Sequence, residues 1–418
     1  MAQKAFQISF SGTAVEQAFY GDVLMVRVEE NTGSANAFQL HMQSTQASDG
    51  TWSYVEDDRF ALFTPISIQM GFTAASGLAG ALGAAASALG GGAPGGGGND
   101  GLVPVFDGYV TSIRFDTASA PGSTTVEVAG LDASVLMSLE EKIATFQNMS
   151  DSDIAQQILG AYSNLTVQAD PTATVHQDTD TTIVQRTSDA RFLRELAQRN
   201  GLEFYLQTNP STSSLTAYFQ APQLDATPQP DLAIQFGDKS NLLHFSAHVT
   251  GQRPLAVKVA QLDVSSNSAS SVQVTDPSLT TIGNSDAGSL LNSALGTLVT
   301  PTDTQAQMLI LGPPTSDATE QQTIAQAVRD DASWFIAAQG EINSDAYGAV
   351  LRPHQTVLVK GASKSYSGTY YVTRVTHEMH GDGTYLQKFE ALRNALGVTG
   401  NEAFSSSGGL GLPAVPGV

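Results

Sequence analysis

The string His377-Glu378-Met379-His380 has the residue types of a zinc-protease motif but not its spacing. That motif places two histidines four positions apart on a helix, so that both imidazoles reach one ion. Here the histidines are three positions apart, in a segment that alternates like a strand, and side chains three apart on a strand point to opposite faces. We therefore expect His377 and His380 to be polar strand positions and not metal ligands.

Two other groups of residues have types that occur in active sites. The run from His176 to Asp180 is similar to an Asp-rich cation loop, but it lacks the glycine and the terminal glutamate of the calcium-binding pattern, which favours a solvated turn. The pairs Asp57/Asp58 and Asp330/Asp331 are adjacent in sequence, so their carboxylates diverge, whereas glycosidase carboxylates are ordinarily remote in sequence. For these pairs we expect exposed charge.

The remaining chemistry-bearing patterns are also missing. The glycines from 90 to 98 have no Lys-Ser/Thr after them and no strand before them, so they are typical of a flexible loop and not of a phosphate-binding loop. The chain has no cysteine, which excludes disulfides, thiolate nucleophiles and cysteine-ligated metals. The sequence thus predicts no catalytic, cofactor-binding or metal-binding residue.

Charge and hydropathy limit the partners. The formal charge is -21, from 40 acidic and 19 basic residues, and so negative a surface repels phosphate backbones, which disfavours sequence-specific nucleic-acid binding. The first residues enter a strand pattern without the apolar core of a signal peptide, so we expect synthesis in the cytoplasm. Residues 71–98 consist mostly of Gly, Ala and Ser, so no membrane-spanning segment is expected.

The N-terminal part of the chain has the period-2 pattern of β-strands. Apolar residues alternate with polar ones from 5 to 72, as in Leu24, Val26 and Val28, and the pattern resumes from 103 to 128. The Ala/Gly-rich stretch 73–101 therefore interrupts a β domain, which we place at residues 1–135.

A change of period from 2 to 3.6 begins near residue 150. Ser150 and Ser188 have the positions of N-caps before two helices, and Gly201 follows the second helix. Two strands, 202–208 and 214–221, come next. These elements predict a small α+β module at residues 136–222.

Strands return after a segment, 222–231, that contains three prolines and is predicted to be a linker. The predicted elements are strands at 232–236, 242–249 and 255–264, a helix at about 317–338, and a closing hairpin of 370–380 and 385–392 around Gly381-Asp382-Gly383. They form a second β domain at 223–396, and a Gly/Ser/Pro-rich tail occupies 397–418.

Three stretches carry a family resemblance. They are Phe146-Gln147-Asn148-Met149-Ser150-Asp151-Ser152-Asp153-Ile154-Ala155, then Gln185-Arg186-Thr187-Ser188-Asp189-Ala190-Arg191-Phe192-Leu193-Arg194-Glu195-Leu196-Ala197, then Gly201-Leu202-Glu203-Phe204-Tyr205. Together with Phe106 to Ile113 and the closing hairpin, they make the chain resemble the late control protein D family of phage tails. This family includes hub proteins of contractile phages and injection particles, and it is similar to the hub half of type VI secretion spikes.

The resemblance implies the architecture and the role. The expected fold is β-rich α+β, with two tube-type β-barrel domains separated by the α+β module. Three chains with two such domains each would present six similar units, so that a threefold spike can meet a sixfold tube. The implied protein is a non-enzymatic homotrimeric baseplate hub without cofactors, and its implied partners are an inner tube ring, a separate spike protein and other baseplate components of a tail or injection particle.

Two departures and two alternatives accompany this interpretation. The insertion 73–101 is longer and richer in Ala and Gly than the family leads us to expect, and the chain ends without room for a fused spike, which makes 397–418 a candidate docking segment. One alternative is a hub that also hydrolyses cell walls, although no block of ~100 residues is left to house that activity. The other is a carbohydrate-binding β protein, which leaves the motif at 146–206 unexplained.

Overall fold

The computed structural model describes residues 3–73, 101–120, 122–179, 182–209, 214–263, 268–295, 307–311 and 318–400. The predicted insertion and the predicted C-terminal tail lie outside these residues, apart from 73, 101 and 397–400. Asp180 also lies outside them. The fold is β-rich α+β, as the sequence predicts. Most of its strands form one large, mainly antiparallel sheet.

The first block, residues 3–132, consists almost entirely of strands. Its elements are β1 (Gln3–Phe10), β2 (Thr13–Ala14), α1 (Gln17–Gly21), β3 (Val23–Asn31), β4 (Ala37–Gln43), β5 (Pro65–Thr73), β6 (Leu102–Asp116) and β7 (Thr125–Asp132). Every second residue of β4 is buried, which is the consequence of the sequence alternation. A short 3-10 helix, Asp58–Phe60, precedes β5 and another, Ala133–Ser138, follows β7.

The middle module contains two helices and three small sheets. Its elements are β8 (Ala144–Phe146), β9 (Met149–Ser150), α2 (Asp151–Leu159), β10 (Leu165–Ala169), β11 (Val175–His176), β12 (Ile183–Gln185), α3 (Asp189–Arg199), β13 (Glu203–Thr208) and β14 (Leu215–Gln220). Ser150 caps α2, as predicted, and it forms a capping box with Asp153. Ser188 precedes α3, but its side chain makes no capping bond.

The second block, residues 229–393, returns to the large sheet. Its main elements are β15 (Gln229–Ala233), β16 (Leu242–Val249), β21 (Ile336–Asn343), α6 (Ser344–Tyr347), β22 (Thr356–Lys360), β23 (Gly368–His380) and β24 (Tyr385–Arg393). A 3-10 helix, Gly237–Lys239, separates β15 from β16, and β25 (Ala395–Leu396) follows β24. The predicted closing hairpin is confirmed. Part of the predicted linker is instead β15, because Gln229 starts a strand that pairs in parallel with β22.

A side sheet lies between β16 and β21 in sequence. It is formed by β17 (Ala256–Asp263), β18 (Ser268–Val274) and β20 (Gln307–Leu311), and it is accompanied by β19 (Ser285–Asp286), α4 (Ala287–Leu295) and α5 (Ala318–Ser333). The predicted helix at 317–338 is α5, but the helix ends at Ser333. The predicted end was wrong because 336–343 pair with strands on both sides as β21, and tertiary pairing overrides helical periodicity.

The two blocks have the same order of strands in the sheet. The first block runs β3-β4-β7-β6-β5-β1 and the second runs β16-β21-β24-β23-β22-β15. When these six strands of each block are numbered in chain order, both blocks have the order 2-3-6-5-4-1. The pairs β3·β4 and β16·β21 each have a bulge near their start. The pair β6·β7 has a bulge after its third paired residue, and β23·β24 has one after its second. One pair differs, since β1 runs antiparallel to β5 while β15 runs parallel to β22.

The two blocks join edge to edge as one sheet. Strand β3 pairs antiparallel with β23 from Met25–His380 to Asn31–Arg374. The first hydrophobic core includes Met379 and Tyr385 of the second block, while the module and the second block have cores of their own. We call the β3·β23 pairing the junction, because it fixes how the two blocks lie relative to each other.

Candidate assembly surface

A buried ion pair lies at the junction. Glu30 of β3 is only 2% exposed, and its Oε1 accepts hydrogen bonds from Nη2 of Arg352 at 2.7 Å and from Nε at 3.1 Å. Its Oε2 lies 3.2 Å from Nε2 of His377, whose Nδ1 lies 2.8 Å from the Tyr385 hydroxyl. Arg352 also donates through Nη1 to the carbonyl oxygen of Pro104 at 2.6 Å. The network therefore joins the two blocks through charged and polar groups.

The electrostatics of this network favour ionised Glu30. Burial alone would raise the pKa of the Glu30 carboxyl, but the nearby Arg352 guanidinium and the hydrogen bond from His377 outweigh that effect and hold the pKa below its usual value. Burial is also the main reason why the pKa of the Tyr385 hydroxyl lies well above its usual value. Since Glu30 and His377 are enclosed, they are poorly placed to meet a substrate and well placed to hold the strands.

A second polar group attaches the middle module to the second block. Oε2 of Glu203 on β13 accepts a hydrogen bond from the Tyr371 hydroxyl at 2.7 Å and lies 2.8 Å from Nδ1 of His354. The His354 ring stacks on Tyr205, with 3.4 Å between the ring centroids. One carboxyl group of the module thus contacts two side chains of the neighbouring block.

The histidines that suggested a metal site are separated. His377 is buried and lies opposite Val28 on the core side of the sheet, whereas His380 lies opposite Met25 and is half-buried. Within the described ranges, no cluster of three or more His, Asp or Glu side chains has a geometry that could hold a metal ion.

Residues 177–179 are exposed, as the predicted solvated turn requires, but His176 at the start of that run is buried. It lies in β11, which pairs with β9 directly before α2, and its Nε2 lies 3.0 Å from Oδ1 of Asp151. The expectation of exposed charge was wrong for Asp330. Asp330 is also buried, and its Oδ1 accepts a hydrogen bond from the Ser278 backbone at 2.6 Å. Its neighbour Asp331 is exposed, as expected, since adjacent helix positions face different directions.

In the pair Asp57/Asp58, Asp57 has a structural role. Asp57 caps the short 3-10 helix by accepting from the Arg59 backbone at 2.9 Å, and it also forms an ion pair with the Arg59 guanidinium at 2.6 Å. Asp58 is exposed. The two carboxylates do not act on a common site.

The side of the sheet that faces away from the cores is exposed to solvent across the junction. We call it the bare face; it carries Arg27, Glu29, Arg374, Lys388 and Glu390. Arg374 forms ion pairs with Glu390 at 3.0 Å and with Glu29 at 3.3 Å, so the charges link three adjacent strands. A groove of about 320 Å³ opens on this face and includes these residues. The bare face is therefore concave and lined with paired charges.

The sheet has two incomplete edges. In the run β16-β21-β24-β23-β3-β4-β7-β6, the outermost strands are β16 and β6. The first half of β6 also pairs with β5. Among the described residues, β16 pairs with β21 only, and the distal half of β6, Thr111–Asp116, pairs with β7 only. Unpaired strand edges are templates for pairing with another chain.

Sequence reasoning missed both the junction network and the repeat. A signal for the first was present, because the adjacent Glu29 and Glu30 break the alternation of β3, so one of the two carboxylates has to face the core. A signal for the second was Tyr-Val-Thr, which occurs at 109–111 and again at 371–373. Both triplets lie at the same position of the repeated topology. There the pairing with the first neighbour ends, which is β5 for β6 and β22 for β23, and the pairing with β7 or β24 begins.

The architecture has known counterparts among solved structures. The structure is similar to the 43 kDa tail protein of prophage MuSo2 from Shewanella oneidensis, with a TM-score of 0.61 and 13% identity over 94% of this chain and 100% of that one. It is also similar to a tail protein from Neisseria meningitidis MC58, with a TM-score of 0.58 and 12% identity over 94% of this chain and 97% of that one. The fold is that of phage tail proteins.

Sequence comparison assigns the family. The family model described as the Alg8 N-terminal domain matches residues 97–381, which is more than half of the chain, so the protein belongs to that family. No curated protein matches the sequence at a significant level. A third similar structure, with a TM-score of 0.50 and 12% identity over 92% of this chain and 76% of that one, is the E. coli c3393 protein, a component of the type VI secretion system.

No helix in the described part of the chain is both long and apolar enough to cross a membrane.

Proposed function

We propose that the protein is a structural baseplate hub of a contractile tail or injection particle, a homotrimer that adapts a sixfold inner tube to a threefold central spike. The observation that carries this proposal is the repeated strand order, β3-β4-β7-β6-β5-β1 and β16-β21-β24-β23-β22-β15, within one continuous sheet. Two similar blocks per chain, side by side, make six similar units in three chains.

The repeat extends to details of the backbone. Phe63 and His354 both adopt a left-handed conformation, with φ of 64° and 63°. The Phe63 backbone N–H donates to Val110 at 2.7 Å, and the His354 backbone N–H donates to Val372 at 3.0 Å. Phe63 precedes β5 and His354 precedes β22, and these two strands have equivalent places in the repeated order. A non-glycine residue with positive φ is uncommon, so its occurrence at equivalent positions supports two copies of one structural unit.

The domain division proposed here follows from these blocks. We assign residues 1–135 and 223–396 to two tube-type β-barrel domains, residues 136–222 to the α+β module and 397–418 to a tail. The contacts of Glu203 with His354 and Tyr371 support a module that is held against the second domain.

The proposed hub performs no turnover and needs no cofactor. The tail proteins that share its fold support this role. The most distinctive polar cluster, around Glu30, Arg352 and His377, is enclosed between blocks, which suits a group that holds strands. We propose as partners an inner tube ring, a separate spike trimer and other baseplate components, as suggested by the type VI secretion system component that has a similar fold.

Oligomeric state and partner binding test the proposal together. Mass photometry of the purified chain is expected to show a species of three times the chain mass, and electron microscopy is expected to show threefold particles with a central channel. The species should bind a tube ring at one end and a spike trimer at the other. A chain that stays monomeric with both partners present, or one that hydrolyses cell walls, would contradict a purely structural hub.

A further inference from the structure

The middle module covers a site on the second block. The Tyr371 hydroxyl and Nδ1 of His354 lie 2.7 Å and 2.8 Å from the same atom, Oε2 of Glu203. The Tyr371 ring also stacks on Trp334, with 5.8 Å between the ring centroids. His354 and Tyr371 are therefore neighbours, and they are only 6% and 2% exposed. We call these two residues the covered site.

The repeated topology gives the covered site a counterpart in the first block. Phe63 is the equivalent of His354, because both have a positive φ and donate the same kind of backbone hydrogen bond. Tyr109 is the equivalent of Tyr371, because each begins a Tyr-Val-Thr triplet at the same point of its strand. The repeat thus places Phe63 beside Tyr109, as His354 lies beside Tyr371.

This counterpart is open to solvent. Leu62, Phe63 and Leu131 are 59%, 46% and 36% exposed, and Tyr109, which lies opposite Leu131, is half-buried. We call these four residues the apolar patch. A group of exposed large apolar side chains is typical of a binding surface.

The module shows which part of a chain covers such a site. It follows β7, the last strand of the first block, and its strand β13 contacts both blocks. The Thr208 hydroxyl donates to Asp107 on β6 of the first block, while Glu203 contacts the covered site on the second block. A segment that follows the last strand of one block therefore covers the next block. After β24, the last strand of the second block, the corresponding segment is the tail, 397–418.

The start of the tail is fixed at the equivalent place. Arg393, the last residue of β24, donates through Nη1 to the carbonyl oxygen of Ser367 at 2.9 Å and through Nη2 to that of Gly397. The Gly397 N–H donates to the carbonyl oxygen of Ser365 at 3.1 Å. Ser365 and Ser367 directly precede β23, which is the equivalent of β6. The tail thus begins beside the strand that corresponds to the one contacted by the module.

We propose that residues 401–418 of one copy dock on the apolar patch of a neighbouring copy. This inference rests on the proposed trimeric hub, in which the second block of one chain has the first block of another chain as its next unit around the ring. From Gly400 to Val418 an extended chain spans up to about 60 Å, which is enough to reach a neighbouring block. The tail then takes the place on the first block that the module takes on the second.

The composition of the tail fits the apolar patch. Residues 403–418 carry no charged side chain, although the whole chain has a formal charge of -21. They include Phe404, Leu410, Leu412 and Val415. Contact between these side chains and the patch removes apolar surface of both partners from water, which favours binding.

Photo-cross-linking from the patch tests the proposal. The full-length chain carries p-benzoylphenylalanine in place of Phe63, and a matched control carries it in place of Ile143, which is 88% exposed and outside the patch. Trypsin releases the tail as residues 394–418, because no Lys or Arg follows Arg393. Mass spectrometry is expected to find this peptide cross-linked to position 63 and not to position 143.

Co-expression of two full-length versions shows which copy supplies the tail. One version carries the photo-reactive residue at position 63, and the other has the natural Phe63 and the substitution Val418→Ala, which changes the mass of the tail peptide. A cross-link between position 63 and the lighter tail forms only between copies. Docking within one chain gives cross-links to the natural tail alone.

Proteolysis provides a second measurement without the photo-reactive residue. Chymotrypsin cleaves after Phe404, Leu410 and Leu412, so a docked tail is cut slowly. The double variant Leu62→Ser with Phe63→Asn removes the apolar contacts, and Asn tolerates the positive φ at position 63. Its tail is expected to be cut at least tenfold faster than that of the natural chain, whereas Ile143→Ser should leave the rate unchanged.

The outcomes separate this inference from the proposed function. Cross-links to the lighter tail together with faster cleavage in the double variant support the docking. Cross-links to the natural tail alone, no cross-link to the tail, or equal cleavage rates overturn it, and a trimer in mass photometry then leaves the hub proposal intact. A chain that stays monomeric in mass photometry overturns both.

Discussion

Glu30 and Arg352 lie 322 positions apart in the sequence and form a buried two-point hydrogen-bonded ion pair, with the shorter contact at 2.7 Å. Glu30 comes from the first block, and Arg352 lies in the loop before β22 of the second block. Arg352 also donates a hydrogen bond to the carbonyl oxygen of Pro104 in β6. A single guanidinium thus contacts two strands of the first block from within the second.

Removal of the Glu30 charge is expected to destabilise the protein strongly. Glu30→Gln removes the carboxylate that forms the two-point ion pair with the buried Arg352 guanidinium, which costs about 3 kcal/mol of unfolding free energy. The control is Glu390→Gln, whose ion pair with Arg374 is on the surface and is worth less than about 1 kcal/mol. Urea unfolding at pH 7 measures both, and equal effects of the two variants would contradict a special role for the junction pair.

The effect of Glu30→Gln is expected to depend on pH. The pKa of Glu30 is lowered in the folded state, so its contribution to stability is fully present above the unfolded pKa of about 4.3 and is lost as the pH falls through the lower folded value. The difference between the natural chain and Glu30→Gln should therefore be constant from pH 7 to 5 and should narrow below about pH 4. A difference that does not change down to pH 3 would show that the charge of Glu30 is not its cause.

The contact between the module and the second block is expected to depend on Tyr371. Tyr371→Phe removes a hydrogen bond to the Glu203 carboxyl without changing the ring, and a bond to a charged group is worth about 1.5 to 3 kcal/mol. Tyr370→Phe is the matched control, because its hydroxyl donates to the backbone oxygen of Tyr366 and to no carboxyl. Chemical denaturation of both variants should show the larger loss for Tyr371→Phe; the reverse order would contradict the assigned role of Glu203.

The two helix caps of the module provide a matched pair of variants. Ser150→Ala removes the capping box of α2 and is expected to cost about 1 kcal/mol. Ser188→Ala is expected to cost less, because the Ser188 side chain makes no capping hydrogen bond at α3. Thermal unfolding of the two variants checks the order, and a larger loss for Ser188→Ala would show that the cap geometry does not control stability here.

Local structure in this protein was largely predictable. Alternating residues marked β3, β4 and the closing hairpin, and the capping box at Ser150 marked the start of α2, because these patterns depend on neighbours only a few residues away. The end of α5 was missed for the converse reason. Residues 336–343 belong to β21, whose two partner strands are remote in sequence.

The amino-acid sequence by itself determined which segments become strands and helices, the absence of cysteine chemistry and the resemblance to tail hubs. Only the tertiary structure decided that β3 pairs with β23, that Glu30 and His377 share a buried network, and that the two blocks repeat one strand order. Periodicity records whether a side chain faces a core, but it carries no information about which distant strand supplies the backbone hydrogen bonds. That choice depends on the packing of the whole chain, because the partners of a strand can lie hundreds of residues away from it.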